Sequence, residues 1–276
     1  MKPFSEALSA LRGRARLPTE MGHAELEQRL PAILRRRALV LARVSQAEIL
    51  DRIDRDVQRL VSGVSSGPGD YANPASVRTG WKELLDSINY LPEAGREGTI
   101  SDLRTDARLN LVIDTETKLA RGYGQYVQQN DPDAILVYPC LELIRTEPRR
   151  TPRGFIRRKD QLIEIERNYW QRRWREAGGQ LYDDRMIAPV SDPVWEKLSR
   201  FGVPHPPFDF NSGMGTRRIG RREAERLGVI EPGERVPPQT PEEFPAQVPA
   251  PELSPFLAQA LQSLGLQLAD GLLRAS

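Results

Sequence analysis

Seven prolines fall within residues 231–254, and they constrain the fold of this chain more than any other feature. They stand at positions 232, 237, 238, 241, 245, 249 and 251, among five glutamates. Proline locks φ and lacks a backbone N–H, so such a segment forms neither a helix interior nor a central strand. The sequence therefore predicts an extended acidic linker over 231–254, with the folded part of the chain before it and one short segment after it.

Leucines at helical spacing mark the segment that follows the linker, residues 255–276. A helix here would be amphipathic, because side chains three or four residues apart share one face. Such a helix on an extended tether is suited to binding in a groove of a partner or of a neighbouring copy, and the alternative is that it folds back on its own domain. The candidate partner-binding residues are Phe256, Leu257, Leu261, Leu264, Leu268 and Leu272.

Helical periodicity dominates the first part of the chain. The clearest apolar stripe covers residues 49–61, and the aspartates and arginines of this segment are expected on an exposed opposite face. Helical spacing also covers residues 26–42, and Asn73 followed by Pro74 is a typical helix start. These patterns predict a helical N-terminal region over residues 1–98.

A long helix and then a mixed segment follow. Apolar residues recur every four positions over 103–127, which predicts one long helix. Residues 134–147 are rich in strand formers, and Pro139 favours an edge strand or two short strands over a central one. Residues 161–177 are expected to be helical. We therefore predict an α+β fold, predominantly α-helical, in which a small mixed α/β unit over 99–230 follows the N-terminal helices.

Composition excludes several classes of protein and of site. Cys140 is the single cysteine of the 276 residues, so an internal disulfide and a cysteine-based zinc site are excluded, and we expect a small buried thiol. No apolar run approaches the roughly 20 residues of a membrane helix, and the N-terminus lacks the pattern of a secretory signal. A net charge of +2 gives no overall attraction to nucleic acid. We expect a protein made in the cytoplasm, with no membrane partner, metal or cofactor.

Familiar catalytic motifs are missing from the sequence, which has no phosphate-binding loop, nucleophile elbow or zinc-protease motif. Its two histidines are His23 and His205. His205 precedes Asp209 by four residues, so that this carboxylate could orient the ring. His205 and Asp209, together with Arg145, are the basis of one alternative function. This alternative is a small toxin-type enzyme, such as a nuclease or an ADP-ribosyltransferase-like protein. Our prediction is a chain without catalytic residues.

The stretch FGVPHPPFDFNSGMG, residues 201–215, is better explained as rigid architecture than as an active site. Its prolines restrict φ and favour extended backbone. They are Pro204, Pro206 and Pro207. Alternation along an extended segment would place the rings of Phe208 and Phe210 in a core and the Asp209 carboxylate in solvent. The Asn-Ser-Gly sequence at 211–213 then supplies a turn.

Positive charge is concentrated between Arg145 and Glu176, where eleven lysines and arginines occur with five acidic residues. Such a local excess is suited to phosphate groups or to an acidic protein surface. Alternatively, these arginines form a solvated face or pair with a neighbouring subunit. The candidate contacts to packaged double-stranded DNA or to a portal protein are Arg149, Arg150, Arg153, Arg157, Arg158 and Lys159.

Four stretches of the chain are distinctive when they are taken together and in order. They are DLRTDARLNLVIDTETKLARGYGQY at 102–126, YPCLELIR at 138–145, RWREAGGQLYDDRMIAP at 173–189 and WEKLSRFGVPHPPFDFNSGMG at 195–215. In this order they resemble the phage Mu F-like minor head protein family, and the likeness spans roughly residues 1–230. The family's R-x-x-x-I-x-x-T-E element corresponds, slightly stretched, to the segment that contains Arg108, Thr115 and Glu116. The structural residues that the resemblance implies are Arg108, Thr115, Glu116, Pro206, Pro207, Phe208, Asp209, Asn211 and Gly213.

The resemblance implies a structural component of the phage particle. Proteins of this family act in head morphogenesis as minor components, at the portal vertex or in the capsid interior, and they need no cofactor. The implied partners are the portal protein, the major capsid protein or further copies of this chain. The implied location is the virion, after assembly in the cytoplasm of the host bacterium. A DNA-binding module of the virion is the other alternative function.

One departure from the family concerns metal. Many members close with a Pro-Pro-His-x-x-Cys-Arg-Cys type of element, which is suited to binding a metal or to forming a crosslink. This chain has PHPPFDFNSGMG in that place, with His205 but no cysteine. The metal role therefore does not carry over, and the resemblance implies a version of the element that acts by packing alone.

Overall fold

The computed structural model describes residues 8, 11, 15–22, 25–26, 38–63, 73–159, 161–239, 248–249, 266–269 and 272–275. The chain divides into two compact units, Met1–Ala120 together with Glu242–Ser276, and Arg121–Pro241. Helices and sheets both occur, so the fold belongs to the α+β class. The division between the units falls inside the long helix, whereas the sequence placed a boundary before that helix, at residue 98. No helix in the described ranges combines the length and the apolar character needed to cross a membrane.

Three helices supply most of the core of the first unit. They are α1 (Ala47–Ser62), α2 (Pro74–Ser87) and the first part of α3 (Asp106–Gln129). Their buried apolar side chains, such as Ile53 and Trp81, form one cluster. Periodicity predicted α1 and α3, and the Asn73-Pro74 start predicted α2. All three helices are present, but α3 begins at Asp106, after the predicted start of its apolar stripe at residue 103.

Local signals predicted some features of this unit and missed others. The Asn73 side chain caps α2 as predicted, since its Oδ1 accepts hydrogen bonds from two backbone N–H groups, both at 2.9 Å. Two short parallel strands, β1 (Ala15–Arg16) and β2 (Ala38–Leu39), pair with each other. The second of them lies where a helix over 26–42 was predicted, so that prediction is wrong at Ala38–Leu39. Helical periodicity cannot report a pairing between segments that are distant in the chain.

The polar face of α1 is partly buried, contrary to the expectation of an exposed face. Asp54 is fully buried and Asp56 is 3 % exposed. The Asp56 carboxylate accepts a hydrogen bond from the Trp81 indole N–H at 2.9 Å. It also pairs with Arg52 and Arg59, at 2.7 and 3.2 Å. Buried carboxylates persist where donors satisfy them, so these contacts fix the position of α2 against α1.

The motif residues of α3 lie in the first unit and are at least half-buried. The Arg108 guanidinium donates to the Ala42 carbonyl at 3.3 Å, and loss of hydration lowers the pKa of Arg108 below its usual value. Thr115 and Glu116 are each 7 % exposed. A packing role for these three residues is consistent with their burial.

An antiparallel sheet of four strands, in the order β6–β7–β3–β8, organises the second unit. The strands are β3 (Cys140–Arg145), β6 (Leu181–Tyr182), β7 (Arg185–Pro189) and β8 (Met214–Ile219). An edge strand was predicted because of Pro139, but β3 is central, between β7 and β8. Pro139 precedes the first paired residue, and its carbonyl accepts a hydrogen bond from the Val190 N–H at 2.9 Å. The missing N–H of proline therefore does not interrupt the pairing.

Aromatic side chains fill the core between this sheet and short helices. The helices are α4 (Pro132–Val137), α5 (Tyr169–Glu176), α6 (Val194–Leu198) and α7 (Arg221–Arg226). The rings of Trp174 and Trp195 lie 5.0 Å apart between centroids, and that of Phe208 lies 6.0 Å from Trp195. All three side chains are fully buried. They hold α5, α6 and the loop that carries Phe208 in one packed layer.

A second, two-stranded sheet forms a ribbon in this unit. Its strands are β4 (Phe155–Arg158) and β5 (Gln161–Glu164). Neither described apolar cluster includes a residue of the ribbon. A helix over 161–177 was predicted, and this prediction is wrong for 161–164, because α5 begins only at Tyr169. Short apolar runs fit the periods of both a helix and a strand, which explains the error.

The tail contains strands where a helix was predicted. β10 (Leu266–Ala269) and β11 (Leu272–Ala275) pair with each other, and β9 (Val248–Pro249) pairs with β11. Leu268 and Leu272 therefore lie in strands, and the prediction of a helix over 255–276 is wrong at these positions. The pairing of Ala269 with Leu272 requires extended backbone at both residues, which a continuous helix does not provide. The other candidate docking residues, Phe256, Leu257, Leu261 and Leu264, lie outside the described residues.

The proline-rich segment begins with residues that are packed on the second unit. Val236 is 7 % exposed and belongs to the apolar cluster of this unit. Asn130 and Gln239 exchange two hydrogen bonds between the Asn130 side chain and the Gln239 backbone, both at 2.7 Å. A linker was predicted from residue 231, but residues 231–239 have fixed contacts. The rest of the predicted linker, except 248–249, lies outside the described residues.

Candidate interaction surface

His205 is held in the second unit by aromatic rings and a backbone carbonyl. It is 5 % exposed, and its ring lies 6.0 Å from that of Tyr123 and 5.9 Å from that of Tyr126, between centroids. Its Nδ1 lies 2.9 Å from the Pro206 carbonyl oxygen, so this nitrogen carries the proton and donates. Gly122 of α3 lies against the same loop, and a Cβ there would be 1.8 Å from the Pro206 oxygen. These contacts are those of a packing residue.

The carboxylate of Asp209 is buried among arginines. Asp209 is 3 % exposed, which corrects the prediction that its carboxylate faces solvent. Its Oδ2 lies 3.3 Å from Arg153 and 3.4 Å from Arg173. Its Oδ1 lies 3.7 Å from Arg200 and accepts a hydrogen bond from the Phe210 N–H at 2.8 Å. Alternation along the chain could not reveal this, because the arginines reach Asp209 from three other segments.

The turn after Asp209 fastens this loop to the end of β3. Asn211 and Gly213 have positive φ angles of 51° and 68°, as the turn sequence predicted. The Gly213 carbonyl accepts hydrogen bonds from the N–H groups of Thr146 and Glu147, at 2.9 and 3.1 Å. A Cβ at Gly213 would lie 2.4 Å from the Glu147 carbonyl oxygen. Glycine is therefore required there by both conformation and space.

The two phenylalanines of this loop have different surroundings. Phe208 is fully buried, as predicted. Phe210 is only half-buried and packs edge-on against Phe201, with centroids 4.7 Å apart. The Arg200 guanidinium lies over its ring at 5.6 Å. The peptide bond between Pro206 and Pro207 is cis.

Five arginines surround the turn, and we refer to them as the arginine cluster. They are Arg145, Arg149, Arg153, Arg173 and Arg200. Arg145, Arg153 and Arg173 donate to backbone carbonyl groups at 3.0, 2.9 and 2.8 Å. Sequence reasoning had singled out Arg145, Arg149 and Arg153 but not the other two. Arg173 comes from α5 and Arg200 from the loop after α6, so no local spacing links them to the turn.

The six basic residues that were predicted to contact DNA or a portal protein divide into two groups. Arg149, Arg153 and Arg157 make hydrogen bonds within the described part of the chain. Arg150, Arg158 and Lys159 are exposed. The Arg157 guanidinium donates to the Arg150 carbonyl at 2.7 Å, which ties the ribbon to the preceding loop. Part of this segment is thus structural and part of it faces solvent.

Aliphatic side chains are exposed on the second strand of the ribbon and just after it. Leu162 is 44 % exposed, Ile163 38 % and Ile165 62 %. Basic side chains lie at the connection between the two strands. Side chains alternate along a strand, so Leu162 and Ile163 lie on opposite faces of the ribbon. Aliphatic side chains exposed on both faces are typical of a segment that another molecule covers. We refer to these five residues as the ribbon surface. They are Arg158, Lys159, Leu162, Ile163 and Ile165.

Cys140 is fully buried in β3, as predicted. Burial raises the pKa of its thiol to about 12, so at pH 8 only on the order of one thiol in 10,000 is the reactive thiolate. An exposed cysteine is roughly one quarter thiolate at this pH, so we expect the native protein to react with Ellman's reagent at least about 1,000-fold more slowly than the protein in guanidinium chloride. Absorbance of the released thiolate measures both rates. Equal rates would contradict a buried position for Cys140 between β7 and β8.

In the described ranges, no three histidine, cysteine, aspartate or glutamate side chains are grouped as a metal site requires. Comparisons with protein-family models, with curated proteins and with solved structures found no match. The arginine cluster and the ribbon surface are therefore assigned from the contacts of this chain alone.

Proposed function

We propose that this chain is a minor head protein of a phage or prophage, which acts in head assembly by binding the portal vertex or the capsid interior. Its action is binding and not catalysis. The observation that carries this proposal is the ribbon surface. Its two-stranded sheet lies outside both apolar clusters, exposes aliphatic side chains on both faces and carries basic side chains at the connection between its strands. A surface of this composition is suited to a protein partner whose patch is apolar with an acidic rim.

The resemblance to the Mu F-like family supports the same class of function. Its motif residues at 206–213 include a buried ring, a buried carboxylate and a turn that needs glycine. These are features of a rigid support, on which a neighbouring element can be presented to a partner. His205, the centre of the alternative enzymatic hypothesis, is packed between two tyrosine rings. This arrangement favours an architectural role for the loop.

The test is co-expression of the full chain with the portal and major capsid proteins of the same prophage, followed by native mass spectrometry. We expect a defined complex with one of the two. Exchange of Leu162 and Ile165 for glutamine should weaken it at least about tenfold, because burying each aliphatic side chain contributes about 1.5–3 kcal/mol. The matched control is Leu91→Gln, which replaces a leucine that is 80 % exposed in the first unit.

Two results would contradict the proposal. One is purification of the chain alone from both co-expressions. The other is a complex that the ribbon variant and the Leu91→Gln control weaken equally, which would place the contact elsewhere on the chain.

A further inference from the structure

Within the described residues, the arginine cluster has more guanidinium groups than paired carboxylates even when Arg200 is left aside. Arg153 and Arg173 share Asp209, and Glu147 pairs with Arg149 at 2.7 Å. Two carboxylates cannot neutralise four guanidiniums, so the turn carries a local positive potential even though the chain is nearly neutral.

Donor groups are also in surplus here. The Nε–H groups of Arg149 and Arg153 are covered from solvent and have no acceptor among the described residues. The indole N–H of Trp170, whose ring lies 5.3 Å from the Arg173 guanidinium, is in the same condition. A buried donor without an acceptor costs free energy of folding. The negative charge of an anion at the surface of the cluster would attract these N–H dipoles and so reduce that cost.

The outer faces of these arginines are accessible and already positioned. The side chains of Arg149, Arg153 and Arg173 are 22, 39 and 21 % exposed. The carbonyl contacts of Arg145, Arg153 and Arg173 hold their guanidiniums in place before any ligand binds. A fixed set of donors loses little conformational entropy on binding, which favours affinity.

Repulsion within the cluster points to the same kind of ligand. Loss of hydration, and then the nearby charge of Arg149, lower the pKa of Arg145 below its usual value. Arg145 keeps its charge at neutral pH, so its guanidinium and that of Arg149 repel each other. An anion between Arg145 and Arg149 would relieve this repulsion.

We propose that the arginine cluster is a phosphodiester-binding site, through which this chain contacts the backbone of duplex DNA. Guanidinium groups match phosphate geometry with two parallel donors, and every member of the cluster is an arginine rather than a lysine. Several guanidiniums around one turn suit a polyanion, which presents neighbouring phosphates together, better than a single small anion. This inference goes beyond the assembly role, and its test uses no portal or capsid protein, so that either proposal can fail without the other.

The experiment measures binding of the full chain to a fluorescein-labelled 20-base-pair duplex by anisotropy, across a series of salt concentrations. The test variant carries Arg145→Gln and Arg149→Gln. The control variant carries Arg222→Gln and Arg226→Gln, which removes the same charge from exposed positions on α7. We expect the test variant to bind about tenfold more weakly at low salt, with a salt slope lower by about 2. The control should differ little from the natural chain.

Three results would overturn the proposal. The first is no binding of the natural chain to the duplex at low salt. The second is an equal loss of affinity in both variants, which would mean a diffuse charge effect. The third is stronger competition by polyglutamate than by unlabelled duplex, which would identify an acidic protein as the ligand. A circular dichroism spectrum of each variant establishes that a loss of binding is not a loss of fold.

Discussion

Replacement of Gly122 by alanine is expected to destabilise the second unit by about 3 kcal/mol, although alanine is the better helix former. The Cβ would lie 1.8 Å from the Pro206 carbonyl oxygen and 2.8 Å from His205 Nδ1. The nearest of these atoms belongs to the backbone, so neither a rotamer change nor a small side-chain shift can relieve the overlap. The helix and the loop must separate, and the contacts of His205 with both tyrosine rings are then lost.

Guanidinium unfolding followed by tryptophan fluorescence is the suitable measurement for this variant. Trp170, Trp174 and Trp195 all belong to the second unit, so the signal reports chiefly on its unfolding. The matched control is Gly220→Ala, because a Cβ at Gly220 meets nothing within 4 Å and its φ is −68°. A Gly122→Ala variant as stable as this control would show that the loop does not lie against α3.

Removal of the Asp209 carboxylate is the second change with a large expected effect. Asp209→Ala should destabilise the second unit by about 3 kcal/mol, because it leaves three arginines and one backbone N–H without their shared acceptor. The partly exposed guanidiniums can recover some hydration, which places the loss at the lower end for a buried ion pair. The same fluorescence assay measures it.

The control for this variant is Glu231→Ala, which removes an exposed carboxylate from the same unit. It should change the unfolding free energy by less than about 0.5 kcal/mol. If the two variants had equal stability, Asp209 would be an ordinary surface residue. The duplex-binding assay gives an independent result, since loss of Asp209 removes a negative charge from the cluster and should not weaken binding.

The elements that could be predicted from sequence are those specified by their own residues. The apolar stripe over 49–61 became α1, and Asn73 caps α2. The turn at 211–213 has the positive φ angles that its asparagine and glycine favour. In each case the side chains that determine the structure lie within a few residues of each other. The prediction of such an element therefore does not require knowledge of contacts with distant parts of the chain.

The candidate surfaces depend on distant segments, and for that reason sequence reasoning found only part of them. Asp209 was predicted to face solvent from the alternation of side chains along its segment. Arg153 and Arg173, which contact its carboxylate, are distant in sequence and could not be included in that prediction. Strand β3 was predicted at an edge, or as two short strands, because of Pro139. Its neighbours β7 and β8 begin about 45 and 75 residues after it, so no local pattern showed that it is central. In the tail, the leucines of 266–275 fit a helix as well as a hairpin, and the strand pairing decides the outcome. Long-range contacts of this kind have no signature in a single sequence.

The hydrogen bonds between Asn130 and Gln239 determine where the tail of this chain is anchored. Together with the buried Val236, they assign residues 231–239 to the folded second unit. Eight extended residues would span roughly 25 Å, at about 3.1 Å for each residue, and this length of chain is held against the unit instead of separating it from the segment that follows. Asn130→Ala removes both bonds at once, so its expected effect is to release this length of chain while the sheet of the second unit stays intact.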